Sequence, residues 1–201
     1  MSDRETIFNS IRKALAPLPE RASYPEWETG ITVARHARAG TENTPLFLER
    51  LAAAKGIALQ GWESLKPFLD REDAWTGYVD PPLAEKAREA LPRRTLEQVF
   101  RREEIDTYAF GITRASGAIA ETGTIILRDA DSPHRLAALA PWIHIAVIRR
   151  ESIVRTLAEA VGQFGTDPSI IYATGPSKTA DIEGVLIQGV HGPGIQACLI
   201  E

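Results

Sequence analysis

Three short stretches of this chain set glycine beside hydroxyl, carboxylate and imidazole groups. They are Glu121-Thr122-Gly123-Thr124, the run GPSKTADIE from Gly175 to Glu183, and GVHGP from Gly189 to Pro193. Each follows or interrupts an apolar run of strand character. Ligands of open α/β sheets collect where strands end and connecting loops begin, so the three loops are expected to converge on one crevice. In the second stretch, Gly175, Ser177 and Thr179 can turn backbone N–H groups and hydroxyls toward a carboxylate or phosphate, with Asp181 and Glu183 following. The plainer alternative is a capped turn feeding a short helix. Neither the Walker A pattern nor the GxGxxG fingerprint is present, which leaves no sequence basis for a standard nucleotide site.

Glu121 lies between apolar neighbours, where a partly desolvated carboxylate is suited to general acid or base work. Its structural alternative is to hold loop backbone or an arginine. His191, beside Gly192, sits where the backbone permits close approach, either to shuttle a proton to a bound anion or to stabilise its own loop. His36, His134, His144 and His191 show no metal-ligand spacing, and Cys198 falls inside an apolar run, so no intrinsic metal is expected and the thiol reads as core. Ser116, Ser132 and Ser177 lack the G-x-S-x-G elbow of the α/β-hydrolases.

The elements that must position these residues alternate. The spacing of Ile7, Ile11 and Leu15 predicts a helix over 3–16, and a proline- and glycine-punctuated arm with Tyr24 and Trp27 follows to about residue 43. From 44 to 201 the pattern reads as one α/β domain. Helices are predicted over 44–55 (stopped by Gly56), 62–69 and 82–91, and strands over 57–59 and 74–79. Residues 93–104 are charge-rich, with Leu96, Val99 and Phe100 at helical spacing, and the arginines among them read as a solvated helix face. Then come a strand at 108–112, a loop at 113–117, the interrupted run AIAETGTIIL at 118–127, and a helix capped by Ser132 and running to Leu139. A strand at 144–148, a helix over 152–161 stopped by Gly162, and strands at 169–173, 185–190 and 196–200 complete a mostly parallel sheet.

Composition excludes several classes. Of the residues, 44% are hydrophobic and 25% charged, as in soluble globular domains, and the formal charge of −4 offers no general attraction for nucleic acid. The charged N-terminus is unlike a signal peptide and no apolar run is long enough to span a bilayer, so a cytoplasmic location is expected. With a single cysteine the chain cannot build a cysteine-ligated iron–sulfur cage; any such cluster must sit on another protein.

The motifs AETGT, GPSKTADIE and GVHGP, with Gly111-Ile112-Thr113 ahead of them, resemble the LUD family over roughly residues 105–201. The resemblance implies a Rossmann-like α/β fold, a mostly parallel sheet flanked by helices, similar to ribose-5-phosphate isomerase, glucosamine-phosphate deaminase and the CoA transferases. It also implies a subunit of a lactate-utilisation complex that supports oxidation of L-lactate to pyruvate. Two partner proteins take part, at least one carrying iron–sulfur clusters, and this chain has no cofactor of its own. Carried over motif by motif, the catalytic positions are Glu121, His191 and Asp181. The ligand-binding positions are Thr113, Thr122, Gly123, Thr124, Gly175, Ser177, Thr179, Glu183 and Gly192. Two other readings stand beside this one: a stand-alone isomerase or acyl/CoA transferase acting on a sugar phosphate or acyl-CoA, and a non-catalytic metabolite-sensing or assembly module.

Overall fold

The computed structural model describes residues 3–17, 42–132, 134–164, 167–180 and 186–201. The arm with Tyr24 and Trp27, and the site positions Asp181 and Glu183, lie outside them. The chain divides into two units, Met1–Thr32 and Val33–Glu201. The first contains helix α1 (Asp3–Leu15), with Asp3 and Glu5 in its first turn and Arg12 and Lys13 in its last, charges that oppose the helix dipole.

The second unit opens with α2 (Asn43–Ala53). Its end departs from expectation: Lys55, not Gly56, takes the left-handed conformation (φ 67°). The N–H groups of Lys55 and Gly56 donate to Ala52 O and Leu51 O at 2.9 and 2.8 Å, closing a Schellman turn. Glycine is needed at 56 because a Cβ there would run into the Leu51 side chain.

Among the described residues, six strands form a wholly parallel sheet: β1 (Ile57–Gln60), β2 (Thr76–Val79), β3 (Thr95–Glu97), β4 (Phe110–Arg114), β7 (Ile143–Ile148) and β12 (Ile195–Ile200). Their order is β1-β12-β7-β4-β2-β3. Alternation sends Ile112, Ile145 and Leu199 to one face, against Leu65, Phe68 and Leu69 of α3 (Leu65–Arg71) and Ala84 and Ala87 of α4 (Ala84–Ala90). Ala146, Ile148 and Cys198 face the other way, onto Phe47 and Leu51 of α2 and Ala138 of α5 (Arg135–Leu139).

That second face is covered by something the parallel pattern did not foretell, a four-stranded sheet of order β8 (Ile153–Val154), β5 (Gly117–Ile119), β6 (Thr124–Arg128), β9 (Ile170–Ala173). The run 118–127 is a hairpin within it, β5 (Gly117–Ile119) paired antiparallel with β6 (Thr124–Arg128). β9 (Ile170–Ala173) pairs antiparallel with β6 and so does not extend the main sheet. Residues 152–161 are not one helix. Ile153 and Val154 form β8 beside β5, and α6 runs Leu157–Phe164 with Gly162 inside it. Likewise, among the described residues, Leu186–Gln188 (β11) pairs only with Lys178–Ala180 (β10), as a separate two-stranded ribbon.

The helical spacing at 93–104 also yields to tertiary contacts. Thr95–Glu97 pairs with Thr76–Tyr78, and Arg94 is drawn inward, its Nε donating to Ala74 O at 2.6 Å and its guanidinium lying 4.8 Å from the centre of the Trp75 ring. A 3-10 stretch, Arg102–Thr107, follows.

Candidate functional site

The loop after β9 and the loop before β12 are stitched together by backbone hydrogen bonds. Ser177 N–H donates to Pro193 O and Gly189 N–H to Ser177 O, both at 2.9 Å. Gly175 turns the first of these loops at φ 69°, and a Cβ there would run into Ala54 O. Between the loops and the main sheet lies a cavity of about 340 Å³. Leu127, Ala138, Leu139, Ile171 and Ala173 wall it; buried His144 and Gln196 form its floor; Thr174, Ser177, Lys178 and His191 supply the remaining polar lining. No acidic side chain lines it among the described residues. The cavity sits at the amino-terminal end of β7 and β12, since His144 and Gln196 are each the second residue of their strand.

The floor is held by a chain of three side chains on adjacent strands. Thr113 Oγ1 lies 2.8 Å from His144 Nε2, and His144 Nδ1 lies 2.9 Å from Gln196 Oε1. The Gln196 amide nitrogen donates to Ala197 O at 3.1 Å, which leaves Oε1 as the acceptor. Nδ1 therefore carries the imidazole proton and Nε2 accepts from the Thr113 hydroxyl. Burial pushes the His144 pKa down to about 4, against a smaller opposing effect of Gln196, so the ring is neutral at pH 7.

Of the expected positions, Gly175, Ser177, His191 and Gly192 meet around this cavity. Thr113 reaches it through His144. The ETGT turn joins by a hydroxyl chain: Thr124 Oγ1 lies 2.6 Å from Thr122 Oγ1 and 2.7 Å from Thr174 Oγ1. Buried Gly123 packs this turn on the backbone of Arg50 and Leu51. Glu121 is not part of the lining. One carboxylate oxygen accepts the Leu157 N–H at 2.9 Å, at the start of α6, and the other is buried without a hydrogen-bond partner among the described residues. Thr179 sits on β10, and the Ser177 N–H, already bonded to Pro193, is not available to a ligand.

The opposite, carboxyl-terminal edge of the main sheet carries a second polar cluster that the glycine motifs did not point to. Asp80, buried directly after β2, accepts from Tyr78 Oη at 2.9 Å, Arg114 N–H at 2.7 Å and Ser132 Oγ at 3.0 Å. Ser132 thus ties its loop to β2 instead of capping α5. Burial, and then the Asp80 charge, raises the Tyr78 phenol pKa. Beside them is a crevice of about 350 Å³ lined by residues that include Arg114, Ser116, Arg128, Asp131 and Arg149. Burial works to raise the Asp131 pKa, but hydrogen bonds from Ser116 and Arg128, both at 2.6 Å, hold it below the ordinary carboxylate value. A signal for this edge exists in the sequence: a charged residue that closes or directly follows a buried apolar run, as in TGYV-Asp80 and FGIT-Arg114.

Cys198 is buried and its thiol pKa is pushed up by desolvation, which keeps it in the protonated, unreactive form. Among the described residues no group of three His, Cys, Asp or Glu is placed to hold a metal, and no helix is long and apolar enough to cross a membrane.

The LUD domain matches residues 72–200. The chain is 40% identical over 95 residues to lactate utilization protein C of Deinococcus radiodurans, covering 45% of this chain and 45% of that one. It is 32% identical over 146 residues to lactate utilization protein C of Halalkalibacterium halodurans, covering 68% and 55%. With lactate utilization protein C of Bacillus subtilis it shares 40% identity over 91 residues, covering 41% and 38%. The chain spans about half the length of the curated relatives it matches. A crystal structure of a DUF162 family protein from Deinococcus radiodurans superposes with a TM-score of 0.59 at 21% identity, covering 80% of this chain and 99% of that one, a likeness of fold.

Proposed function

This chain belongs to the LUD domain family, and on that premise we propose that it serves lactate utilization by binding a small carboxylate in the cavity between the loops at 174–178 and 189–193. The observation that carries this reading is the composition of that cavity. Apolar walls of Leu127, Ile171 and Ala173 suit a short alkyl group, while Lys178, Ser177 and His191 offer a charge and hydrogen bonds to a carboxylate, with no acidic side chain among the described lining residues to repel it. The names of the matching relatives favour lactate or pyruvate as that carboxylate.

In this reading the chain is a subunit of a complex that oxidises L-lactate to pyruvate. Two partner proteins complete it, and iron–sulfur clusters on at least one of them carry the two electrons away. His191, exposed at the cavity, takes the proton of the lactate hydroxyl, while the hydrogen on the same carbon leaves with its electron pair to the partner proteins, which release it as the second proton. Asp181 is the alternative proton acceptor that the sequence motif offers. Glu121 acts from behind, as a positioning residue that joins the ETGT turn to α6.

Thermal-shift and calorimetric titrations of the purified chain with L-lactate and with pyruvate test the reading. One of the two should stabilise the protein, and Ser177→Ala and His191→Ala should each weaken its binding by about tenfold, the loss of one charged or polar contact. Binding that survives both substitutions unchanged, or no binding of either carboxylate, would overturn the placement of the ligand here.

A further inference from the structure

The strand order of the main sheet carries a topological consequence at the end opposite this cavity. The chain runs outward from β1 to β2 to β3, then returns through β4, β7 and β12, so the direction of winding reverses between the neighbours β2 and β4. In open parallel sheets the crevice outside the carboxyl ends of the strands at such a reversal is where ligands bind. Here that crevice is the cavity of about 350 Å³, reached by Leu83 beyond β2, by Arg114 and Ser116 at the end of β4, and by Arg149 directly after β7.

We propose that this crevice is a second ligand site, one that binds a phosphate group of a small phosphorylated molecule between the guanidinium groups of Arg114 and Arg149. The charges around it sort into engaged and available. Arg128 is paired with Asp131, its Nη2 lying 2.6 Å from Asp131 Oδ2 and its Nε 3.0 Å from the same oxygen. Glu201, which also lines the crevice, is held by Lys86 at 2.6 Å and Trp62 Nε1 at 2.8 Å, and Arg149 acts on it only through its charge. Arg114, by contrast, bonds among the described residues a neutral carbonyl, Asp131 O, through Nη2 at 2.9 Å and Nε at 3.3 Å, and the Asp131 carboxylate oxygen stands 4.0 Å away. Arg149 meets Glu151 at 3.8 Å with both side chains about three-quarters exposed, a pairing of little strength in water.

Two planar cations with open donor positions, Arg114 closing β4 and Arg149 two residues beyond its register partner Val147 and just past the end of β7, both line the crevice and match a dianion that takes two forks of hydrogen bonds. The volume leaves space for an ester of a few carbons against Leu83, Val147 and Phe164.

Calorimetry with inorganic phosphate as the probe, at low ionic strength and on the full chain, tests this. Binding is expected, weakened about tenfold or more by Arg149→Ala, a change at an exposed side chain that leaves folding intact, and likewise by Arg114→Lys, which keeps the charge but removes the fork. Ser177→Ala, at the other cavity, should leave phosphate binding unchanged, so failure here and failure of the carboxylate reading are separately visible. No phosphate binding at millimolar concentration, equal binding in the Arg149→Ala variant, or loss of binding in Ser177→Ala would each overturn the proposal.

Discussion

The Ser132 hydroxyl donates to the Asp80 carboxylate across 3.0 Å, joining two buried residues from distant parts of the chain. With Tyr78 and the Arg114 N–H on the same carboxylate, it fastens the loop after β6 to the carboxyl ends of β2 and β4, the edge that carries the arginine crevice.

Asp80→Asn should therefore be severe. An amide cannot accept all three hydrogen bonds and turns an NH2 group toward at least one buried donor, so a loss of about 2–4 kcal/mol is expected. Ser132→Ala should cost about 1 kcal/mol. Urea unfolding measures both, and an unchanged midpoint for Asp80→Asn would show that the cluster does not hold this edge.

The buried imidazole sets a pH dependence. His144 titrates near 6.5 when unfolded and near 4 when folded, so between those values the unfolded chain binds the extra proton and stability falls as pH is lowered. The stabilising effect of keeping the ring neutral is complete above pH 6.5 and lost on acidification toward pH 4, at most about 3 kcal/mol. Unfolding free energies across this range should show the slope, and His144→Gln should flatten it.

Two glycine substitutions should act in opposite directions. Gly175→Ala forces a side chain onto a positive φ beside Ala54 O and should destabilise by about 1–3 kcal/mol while weakening carboxylate binding. Gly162 lies inside α6 with open space where its Cβ would be, so Gly162→Ala should stabilise by about 0.5–1 kcal/mol. Melting temperatures that move the same way for both would contradict this placement of the two residues.

Glu121 separates a structural role from a chemical one. Glutamine keeps the oxygen that accepts the Leu157 N–H, so Glu121→Gln should preserve both stability and carboxylate affinity, whereas Glu121→Ala should lose about 1 kcal/mol with the cap. Loss of lactate-dependent turnover in the reconstituted complex with Glu121→Gln, at unchanged stability and ligand affinity, would return the carboxylate to a proton-handling role.

What the sequence by itself determined was local. The uninterrupted IHIAVI run makes β7 a fully buried strand, the i, i+4 spacing of Ile7, Ile11 and Leu15 makes α1, and the alternation of helices and strands from 44 onward makes a parallel sheet. The GPSK and VHGP segments were legible as loops that meet, because glycine and proline mark turns wherever they occur. Tertiary structure decided which sheet each strand joined. Ile170–Ala173 is as apolar as a main-sheet strand yet pairs with β6, Thr95–Glu97 leaves its helical spacing to pair with β2, and Ser132 gives up a helix cap for Asp80. Periodicity records which side of an element is buried, whereas the partner of a strand or of a buried carboxylate is chosen by backbone and side-chain hydrogen bonds to residues far along the chain, and these have no local sequence mark.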